Sequence, residues 1–181
     1  MLRKIIGFTA LCMTLLSAVV TAADDQPIQP GSYAPDFTLK DADGKEHTLS
    51  AKLKESKVAL VFYRSGAWWP PCRKQLVELQ AGNKRIDKAG AELLAVSYDS
   101  VATLAKVKKG LKISYPLLSD KGSKTINAYK VRNKELDGGS REGLAKPVIF
   151  IIGRDGKITS TLAFDGYRKR YGVKDIVKAL K

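Results

Sequence analysis

The chain has 181 residues, 44% of them hydrophobic, which is enough to form one domain with a sizeable core. Nothing in its length or composition indicates a second domain, an internal repeat or a low-complexity tract. Its formal net charge is +14 at neutral pH, with 32 Lys and Arg residues against 18 Asp and Glu residues.

The first 23 residues have the pattern of a signal peptide: a short basic start, an uncharged apolar run over residues 5–20, and small residues before a cleavage point. The run of 16 residues is short for a membrane span of about 20 residues, and an uncleaved anchor is the alternative. We therefore expect residues 1–23 to be removed and residues 24–181 to form one exported domain, periplasmic or secreted, without stable membrane insertion. Removal takes Cys12 away and leaves Cys72 as the single cysteine on a chain of formal charge +12.

The sequence predicts a hairpin near the start of the exported chain and three central strands after it. Residues 37–40 and 46–49 flank a turn sequence and predict a β-hairpin. Three later runs, at 58–63, 93–98 and 148–152, are almost continuously apolar and rich in Val, Ile and aromatic residues. Such runs are typical of strands covered on both faces, so we expect these three at the centre of the sheet.

Helical spacing of apolar residues predicts one helix over 71–89, a second from Val101 to about Gly110, and a last one over 173–180. A shorter helix is expected at 124–129. Residues 157–164 follow a turn sequence and should pair antiparallel with the preceding strand. This order of elements predicts a three-layer α/β/α arrangement around a mixed sheet.

Cys72 lies at the start of the helix predicted over 71–89, just after the first central strand. A sulfur there is expected near unpaired backbone N–H groups and the positive end of the helix dipole, and Arg73 and Lys74 add positive charge. Each effect favours the thiolate, the form that attacks peroxides and disulfides. The alternative is that Cys72 packs as a small apolar residue.

Several short motifs support a family resemblance when they are taken together. They lie at residues 34–39, 43–45, 61–65 and 72–76, and at Pro147 with residues 155–158. On these residues the chain resembles the alkyl hydroperoxide reductase and thiol-specific antioxidant family, the peroxiredoxin-like branch of the thioredoxin fold. The resemblance runs from about residue 34 to the C-terminus and implies a thioredoxin-like three-layer sandwich with a central mixed sheet and an N-terminal β-hairpin.

The resemblance also implies that Cys72 occupies the attacking position, and it identifies three departures from the family pattern. Trp69 stands where two-cysteine members carry the first cysteine and where peroxiredoxins carry a Thr that helps to hold the peroxide. Ser65 stands where the family carries Pro, and Pro147 stands where it carries an Arg. Because Trp69 replaces the first cysteine, Cys72 cannot take part in a disulfide cycle with that position within one subunit.

Three functions remain open on these residues. In the first, Cys72 attacks a hydroperoxide, becomes a sulfenic acid and is restored by an external thiol reductant. In the second, the protein is a redox-inactive binding module that holds a partner peptide near Trp69, Pro71 and Pro147. In the third, Cys72 exchanges disulfides with a protein thiol or disulfide substrate through mixed disulfides.

Arg64 and Arg141 are the candidates for the cation that peroxide reduction needs, and solvated surface charge is the alternative for each of them. Arg154 should lie some 20 Å from the site, at about 3.3 Å per strand residue, and is expected to be a turn residue. The resemblance implies that Pro147 follows a cis peptide bond and faces Cys72. Trp68 is expected to pack inward, and Trp69 is expected to lie at the mouth of the site.

Other groups are assigned no role in the reaction. His47 is the single histidine and has no ligand cluster around it in the sequence, so we expect no metal. No glycine-rich phosphate loop follows the first central strand, and no cofactor is expected. Nine basic residues against one acidic residue between Lys106 and Lys134 predict a positive face, which we interpret as solvated and not as a nucleic-acid site.

Overall fold

The computed structural model describes residues 26–164 and 169–181 of the chain. The predicted signal peptide at residues 1–23 lies outside the described residues. Within these two ranges, no helix combines the length and the apolar character that crossing a bilayer requires.

One mixed sheet of seven strands is present in the described part of the chain. The strands are β1 (Thr38–Asp41), β2 (Glu46–Thr48), β3 (Lys57–Phe62), β4 (Ala91–Ser97), β5 (Leu117–Ser119), β6 (Val148–Ile152) and β7 (Ile158–Ala163). Their order across the sheet is β2-β1-β5-β4-β3-β6-β7. Strands β3, β4 and β5 run parallel to one another, whereas the other neighbouring pairs are antiparallel. The predicted hairpin and mixed sheet are confirmed.

The three apolar runs form the centre of the sheet, as predicted. Strand β3 pairs with β4 on one side and with β6 on the other, so that Val61 lies opposite both Ala95 and Ile149. All five residues of β6 are buried, and so are five of the six residues of β3. Covering by helices on both faces explains why these strands read as continuous apolar runs and not as alternating ones.

The helices follow the predicted order, with one addition. They are α1 (Leu49–Glu55), α2 (Pro70–Lys88), α3 (Val101–Leu111), α4 (Lys124–Ala128) and α5 (Val173–Ala179). Helix α2 begins at Pro70, because a proline at the first helical position lacks only an N–H group that the helix does not need. Helix α3 passes through Gly110 and is capped by Lys112, which adopts a left-handed backbone with φ of 53°.

Two short elements are not predicted by the sequence. Strand β5 has three residues, which is too few to show an alternating pattern. Helix α1 follows β2 directly and buries only Leu49 and Leu53. Both elements owe their stability to the neighbours on which they pack, because neither carries a periodic signal of its own.

The sheet separates two hydrophobic clusters, one on each face. One cluster contains Cys72 and lies under α2, α3 and α5, and these helices contribute Leu76, Leu104 and Ile176 to it. The other lies under α1 and α4 and contains Phe62 and Phe150. Alternate residues of β3 point to opposite faces and join the two clusters in turn. The three-layer α/β/α arrangement is therefore confirmed.

One edge of the sheet gathers the loops that surround Cys72. Strands β3, β4 and β5 are parallel, so their carboxyl ends lie together at this edge. Strand β6 runs the opposite way and begins there, with Val148 opposite Phe62, and β7 ends there, with Ala163 opposite Val148. We call this the site edge.

Candidate active site

Cys72 is the third residue of α2 and lies in the first turn of that helix, as predicted. A loop of seven residues, 63–69, leads from the end of β3 to the helix. The side chain has no solvent exposure and packs in the cluster with Leu76 and Val107. Among the described residues it is the free cysteine, with no disulfide. The sulfur is thus covered, and not open to solvent as a thiolate at a helix start was expected to be.

The backbone of the first turn differs from the expectation of unpaired N–H groups around the sulfur. Pro70 and Pro71 have no N–H to offer. The N–H groups of Cys72 and Arg73 both donate to the carbonyl oxygen of Trp69, at 3.0 and 3.2 Å. None of the first four residues of α2 therefore offers an unpaired backbone N–H group, and the prediction that free amide groups surround the sulfur is wrong.

A cationic side chain reaches the sulfur from a distant part of the sequence. Nη2 of Arg170 lies 3.7 Å from Sγ of Cys72. The next residue, Tyr171, is fixed to the same helix, because Nε2 of the buried Gln75 donates to its carbonyl oxygen at 3.1 Å. A guanidinium at this position can donate to the sulfur and stabilise negative charge on it.

The two arginines named from the sequence differ in burial and in the contacts that they make. Arg64 is fully buried, and its guanidinium carbon lies 5.1 Å from the ring centroid of Trp69, a cation–π contact. Arg141 is exposed and ends a 3-10 turn over Gly139–Arg141. Arg154 is an exposed turn residue whose Nη2 donates to the carbonyl oxygen of Lys54 at 2.8 Å. Arg170, which the sequence did not identify, is a cation whose contact with Cys72 the described residues show.

The two tryptophans are placed in the opposite way to the expectation. Trp68 is 42% exposed, and its indole N–H donates to the Tyr98 hydroxyl at 3.1 Å, which in turn donates to the carbonyl oxygen of Ser140 at 3.1 Å. Trp69 is half-buried and packs against the cluster that contains Cys72. Trp69 turns inward because the core and the face of Arg64 cover its ring, whereas Trp68 finds its hydrogen-bond partner at the surface.

The two prolines named from the sequence both lie at the site edge. Pro71 is the second residue of α2 and is half-buried. Pro147 is half-buried and directly precedes β6, where the pairing of Val148 with Phe62 places it beside Tyr63. No cis peptide bond occurs within residues 26–164 and 169–181, so the cis bond expected before Pro147 is wrong. The N–H of Lys146 donates to the Val131 carbonyl at 2.6 Å and fixes the approach to this proline.

Asp99 organises the loop before Cys72 and was not identified from the sequence. It is buried just beyond the end of β4. Its Oδ1 accepts from Ser65 Oγ at 2.9 Å, and its Oδ2 accepts from the Gly66 N–H and from Ser97 Oγ, each at 3.1 Å. Burial raises the pKa of the Asp99 carboxyl, and these hydrogen bonds offset part of that rise. The available signal was an Asp directly after an apolar parallel strand.

Tyr63 contributes a buried hydroxyl to the same neighbourhood. Its side chain has no solvent exposure and belongs to the cluster that contains Cys72. Burial raises the pKa of the Tyr63 phenol well above its ordinary value, and negative charge on Asp99, Tyr115 or Cys72 acts in the same direction. The phenol is therefore neutral near pH 7.

His47 lies on the N-terminal hairpin, where its Nε2 is 2.8 Å from Oδ2 of Asp41. Within the described ranges, no group of three or more His, Cys, Asp or Glu side chains is placed to hold a metal ion. In the basic stretch, Lys108 pairs with Asp43, and Arg132 pairs with Asp137 and Glu142. Part of the predicted positive face is therefore neutralised by carboxylates.

Known proteins resemble this chain over most of its described length. The model of the AhpC/TSA family matches residues 30–161. Peroxiredoxin Q of Oryza sativa subsp. japonica, a chloroplastic protein, is 39% identical over 104 residues, which cover 58% of this chain and 47% of that protein. The match thus spans about half the length of this curated relative.

A second relative is named for a different activity. Thiol-disulfide oxidoreductase ResA of Bacillus cereus is 29% identical over 141 residues, which cover 77% of this chain and 73% of that protein. Among solved structures, peroxidoxin BcpB of Mycobacterium tuberculosis superposes with a TM-score of 0.72 and 24% identity, covering 84% of this chain and 96% of that one. The structural likeness shows the fold.

Proposed function

The chain belongs to the AhpC/TSA family, and from that premise we propose that it is an exported thiol peroxidase with Cys72 as its attacking sulfur. The observation that carries the proposal is the contact between Arg170 Nη2 and Cys72 Sγ at 3.7 Å, in the first turn of α2. A half-buried cation beside a sulfur at this position of the fold suits a thiolate that attacks a hydroperoxide.

In the proposed reaction the Cys72 thiolate attacks the terminal oxygen of a hydroperoxide. A sulfur–oxygen bond forms as the oxygen–oxygen bond breaks, and the departing alkoxide or hydroxide takes a proton to leave as an alcohol or water. Cys72 is oxidised to sulfenic acid, and the hydroperoxide is reduced. Arg170 stabilises the negative charge on the sulfur before the attack.

The oxidised sulfur must then be reduced from outside the chain. Trp69 occupies the position of a partner cysteine, and Cys72 is the free cysteine of the described residues. An external thiol condenses with the sulfenic acid to give a mixed disulfide and water, and a second thiol releases Cys72. This cycle needs no cofactor. Trp69, Pro71 and Pro147 border the site edge and are the residues proposed to contact the substrate or reductant, together with the exposed Arg141. The buried Arg64 is proposed to support this surface through the ring of Trp69.

Peroxide consumption by the purified protein tests this proposal directly. We expect the wild-type protein to consume hydrogen peroxide faster than the same concentration of free cysteine, with dithiothreitol as reductant. Cys72→Ser should abolish the excess, and dimedone should label Cys72 in peroxide-treated wild-type protein as its sulfenic acid. Equal rates for the protein and free cysteine, with no dimedone adduct, would reject the peroxidase.

Export is part of the proposal and rests on residues 1–23, whose basic start and apolar run have the signal-peptide pattern. The mass of the protein recovered from a cell envelope or culture fluid tests it. A chain that begins at residue 23 or 24 is expected, whereas an intact residue 1 on protein confined to the cytoplasm contradicts export.

The burial of Cys72 favours a second function, a thioredoxin-fold binding module without redox turnover. A cysteine with no exposed surface is typical of a small apolar core residue. Iodoacetamide separates the two functions. Labelling of Cys72 in the folded protein near pH 6 supports the peroxidase, whereas labelling that begins only in urea supports the binding module.

The resemblance to a thiol-disulfide oxidoreductase favours a third function, disulfide exchange with a client protein. In this function Cys72 forms a mixed disulfide that an outside thiol resolves. Acid-quenched cell extracts report on it. Partner proteins that are bonded to Cys72 by a disulfide and are released on reduction support exchange. If no such partners are found and Cys72 is recovered as a sulfenic acid, the result supports the peroxidase.

A further inference from the structure

The loop between β3 and Cys72 is fixed by one buried carboxylate from another strand. Asp99 uses both oxygens on this loop, accepting from Ser65 Oγ at 2.9 Å and from the Gly66 N–H at 3.1 Å. Asp99 is itself fixed at the ends of two strands. Ser97 Oγ donates to its Oδ2 at 3.1 Å, and Ser119 Oγ donates to its carbonyl oxygen at 2.7 Å. The carboxylate therefore ties the loop to the rigid sheet.

Position 65 is one of the departures from the family pattern. A proline there would restrict the backbone through its ring. Ser65 restricts it through hydrogen bonds instead, because its Oγ donates to Asp99 and accepts from the Ala67 N–H at 3.1 Å. Within the described residues, the Ser65 N–H donates no backbone hydrogen bond, so a proline would remove none there.

Gly66 connects this hydrogen-bonded loop to the helix that carries Cys72. Its N–H donates to Asp99, and its carbonyl oxygen accepts from Nη1 of Arg73 at 3.1 Å. Gly66 also packs closely against α3, since a Cβ at Gly66 would lie 2.7 Å from Cγ1 of Val107. Displacement of the loop therefore acts on the residue next to Cys72.

We propose that Asp99, acting through Ser65 and Gly66, is the positioning residue that holds the loop before Cys72 in place of the family proline. Its role in the reaction rests on the proposed peroxidase function. Its role in loop geometry does not, and the two roles have separate readouts. Asp99 follows the end of β4 and is remote in sequence from Cys72, and in this proposal it contributes to the reaction by positioning the loop.

The two tryptophans make the loop visible by fluorescence. Trp68 and Trp69 are the two tryptophans of the whole chain and end the loop directly before α2. In Asp99→Ala we expect stronger acrylamide quenching of tryptophan emission, because the loop loses its anchor. A displaced reacting group can cost up to about 100-fold in rate, and we expect kcat/KM for hydrogen peroxide to fall at least about tenfold, mostly in kcat.

Asp120→Ala is the matched control for Asp99→Ala. Asp120 is also a buried carboxylate beyond a strand end, but it accepts from the N–H groups of Thr125 and Ile126 at the start of α4. Its removal should lower stability while leaving tryptophan quenching and kcat near their wild-type values. An equal change in both variants would overturn a specific role for Asp99.

Ser65→Pro supplies the decisive comparison. If the hydrogen bonds of Ser65 replace a proline ring, Asp99→Ala should cost much less activity in the Ser65→Pro background than in the wild-type background, a coupling that double-mutant cycles measure. Should Asp99→Ala fail to fold, Ser65→Ala removes only the hydroxyl and reports the same two readouts. Unchanged quenching in these folded variants overturns the proposal. Increased quenching in a protein without peroxidase activity supports the positioning role and rejects the peroxidase.

Discussion

The two faces of the sheet are built from the same strands but differ in what they bury. The face under α1 and α4 holds an aromatic group of Phe62, Tyr129 and Phe150, with ring centroids 5.0 to 5.8 Å apart. The face under α2, α3 and α5 holds a sulfur, an amide and buried phenols among its apolar residues. The sulfur of Cys72 thus lies on one face of the sheet, and the group of three aromatic rings lies on the other.

The contrast is sharp even between neighbouring residues. Phe62 and Tyr63 are consecutive, yet Phe62 joins the aromatic group and Tyr63 joins the cluster of Cys72. Strand alternation produces this separation, because successive side chains leave opposite faces. The comparison teaches that stability and reactivity can be changed separately in this fold, and substitutions on the two faces can test that.

The largest expected effect is on stability, from Phe150→Ala on the aromatic face. Phe150 packs against Phe62 and Tyr129, with centroid distances of 5.8 and 5.2 Å. Truncation leaves a cavity and should lower the free energy of unfolding by about 3–5 kcal/mol, measured by urea denaturation. Peroxide turnover per folded molecule should stay near the wild-type value. A parallel loss of turnover would show that the two faces are coupled.

The next effect is on activity, from Arg170→Gln on the other face. Loss of a preorganised charged donor beside the reacting atom should lower kcat/KM for hydrogen peroxide by about 100-fold. Arg154→Gln is the control, because its guanidinium lies on the exposed turn and contacts Lys54. Wild-type turnover in Arg170→Gln, or an equal loss in Arg154→Gln, would contradict the role of Arg170.

The smallest effect is a pH dependence in the hairpin. Burial by itself raises the pKa of the Asp41 carboxyl, but hydrogen bonds from His47 and from the N–H groups of Asp43 and Lys45 outweigh it and lower that pKa below its ordinary value of 3.8. Ionised Asp41 therefore stabilises the fold above pH 3.8, and this contribution is lost as the pH falls through the lower folded value. The difference in unfolding free energy between wild type and Asp41→Asn should shrink on acidification. A constant difference would contradict this assignment.

Local sequence patterns predict the centre of this fold well and its short elements poorly. The runs that became β3, β4 and β6 are long and apolar, so tertiary packing agrees with their local signal. Strand β5 and helix α1 have three and seven residues, and only their neighbours specify them. The same reasoning explains why the boundaries of α2 and α5 lie within a residue or two of the prediction.

The candidate site could be predicted only as far as one stretch of chain contributes to it. The position of Cys72 follows from the strand, the loop and the helix around it. Arg170 is 98 residues away and returns to the site because β7 pairs antiparallel with β6 and ends at the site edge. The orientations of Trp68 and Trp69 depend on Tyr98 and Arg64, contacts that no pattern in the sequence specifies.

The complete covering of Cys72 sets a limit on how quickly any reagent can modify it. A sulfur without solvent contact reacts only during brief local opening, so its rate of modification levels off at the opening rate once the reagent is abundant. The same covering slows the reaction of a second oxidant molecule with the sulfenic acid that the first oxidation forms. In the proposed peroxidase, this covering would protect Cys72 from irreversible conversion into sulfinic acid.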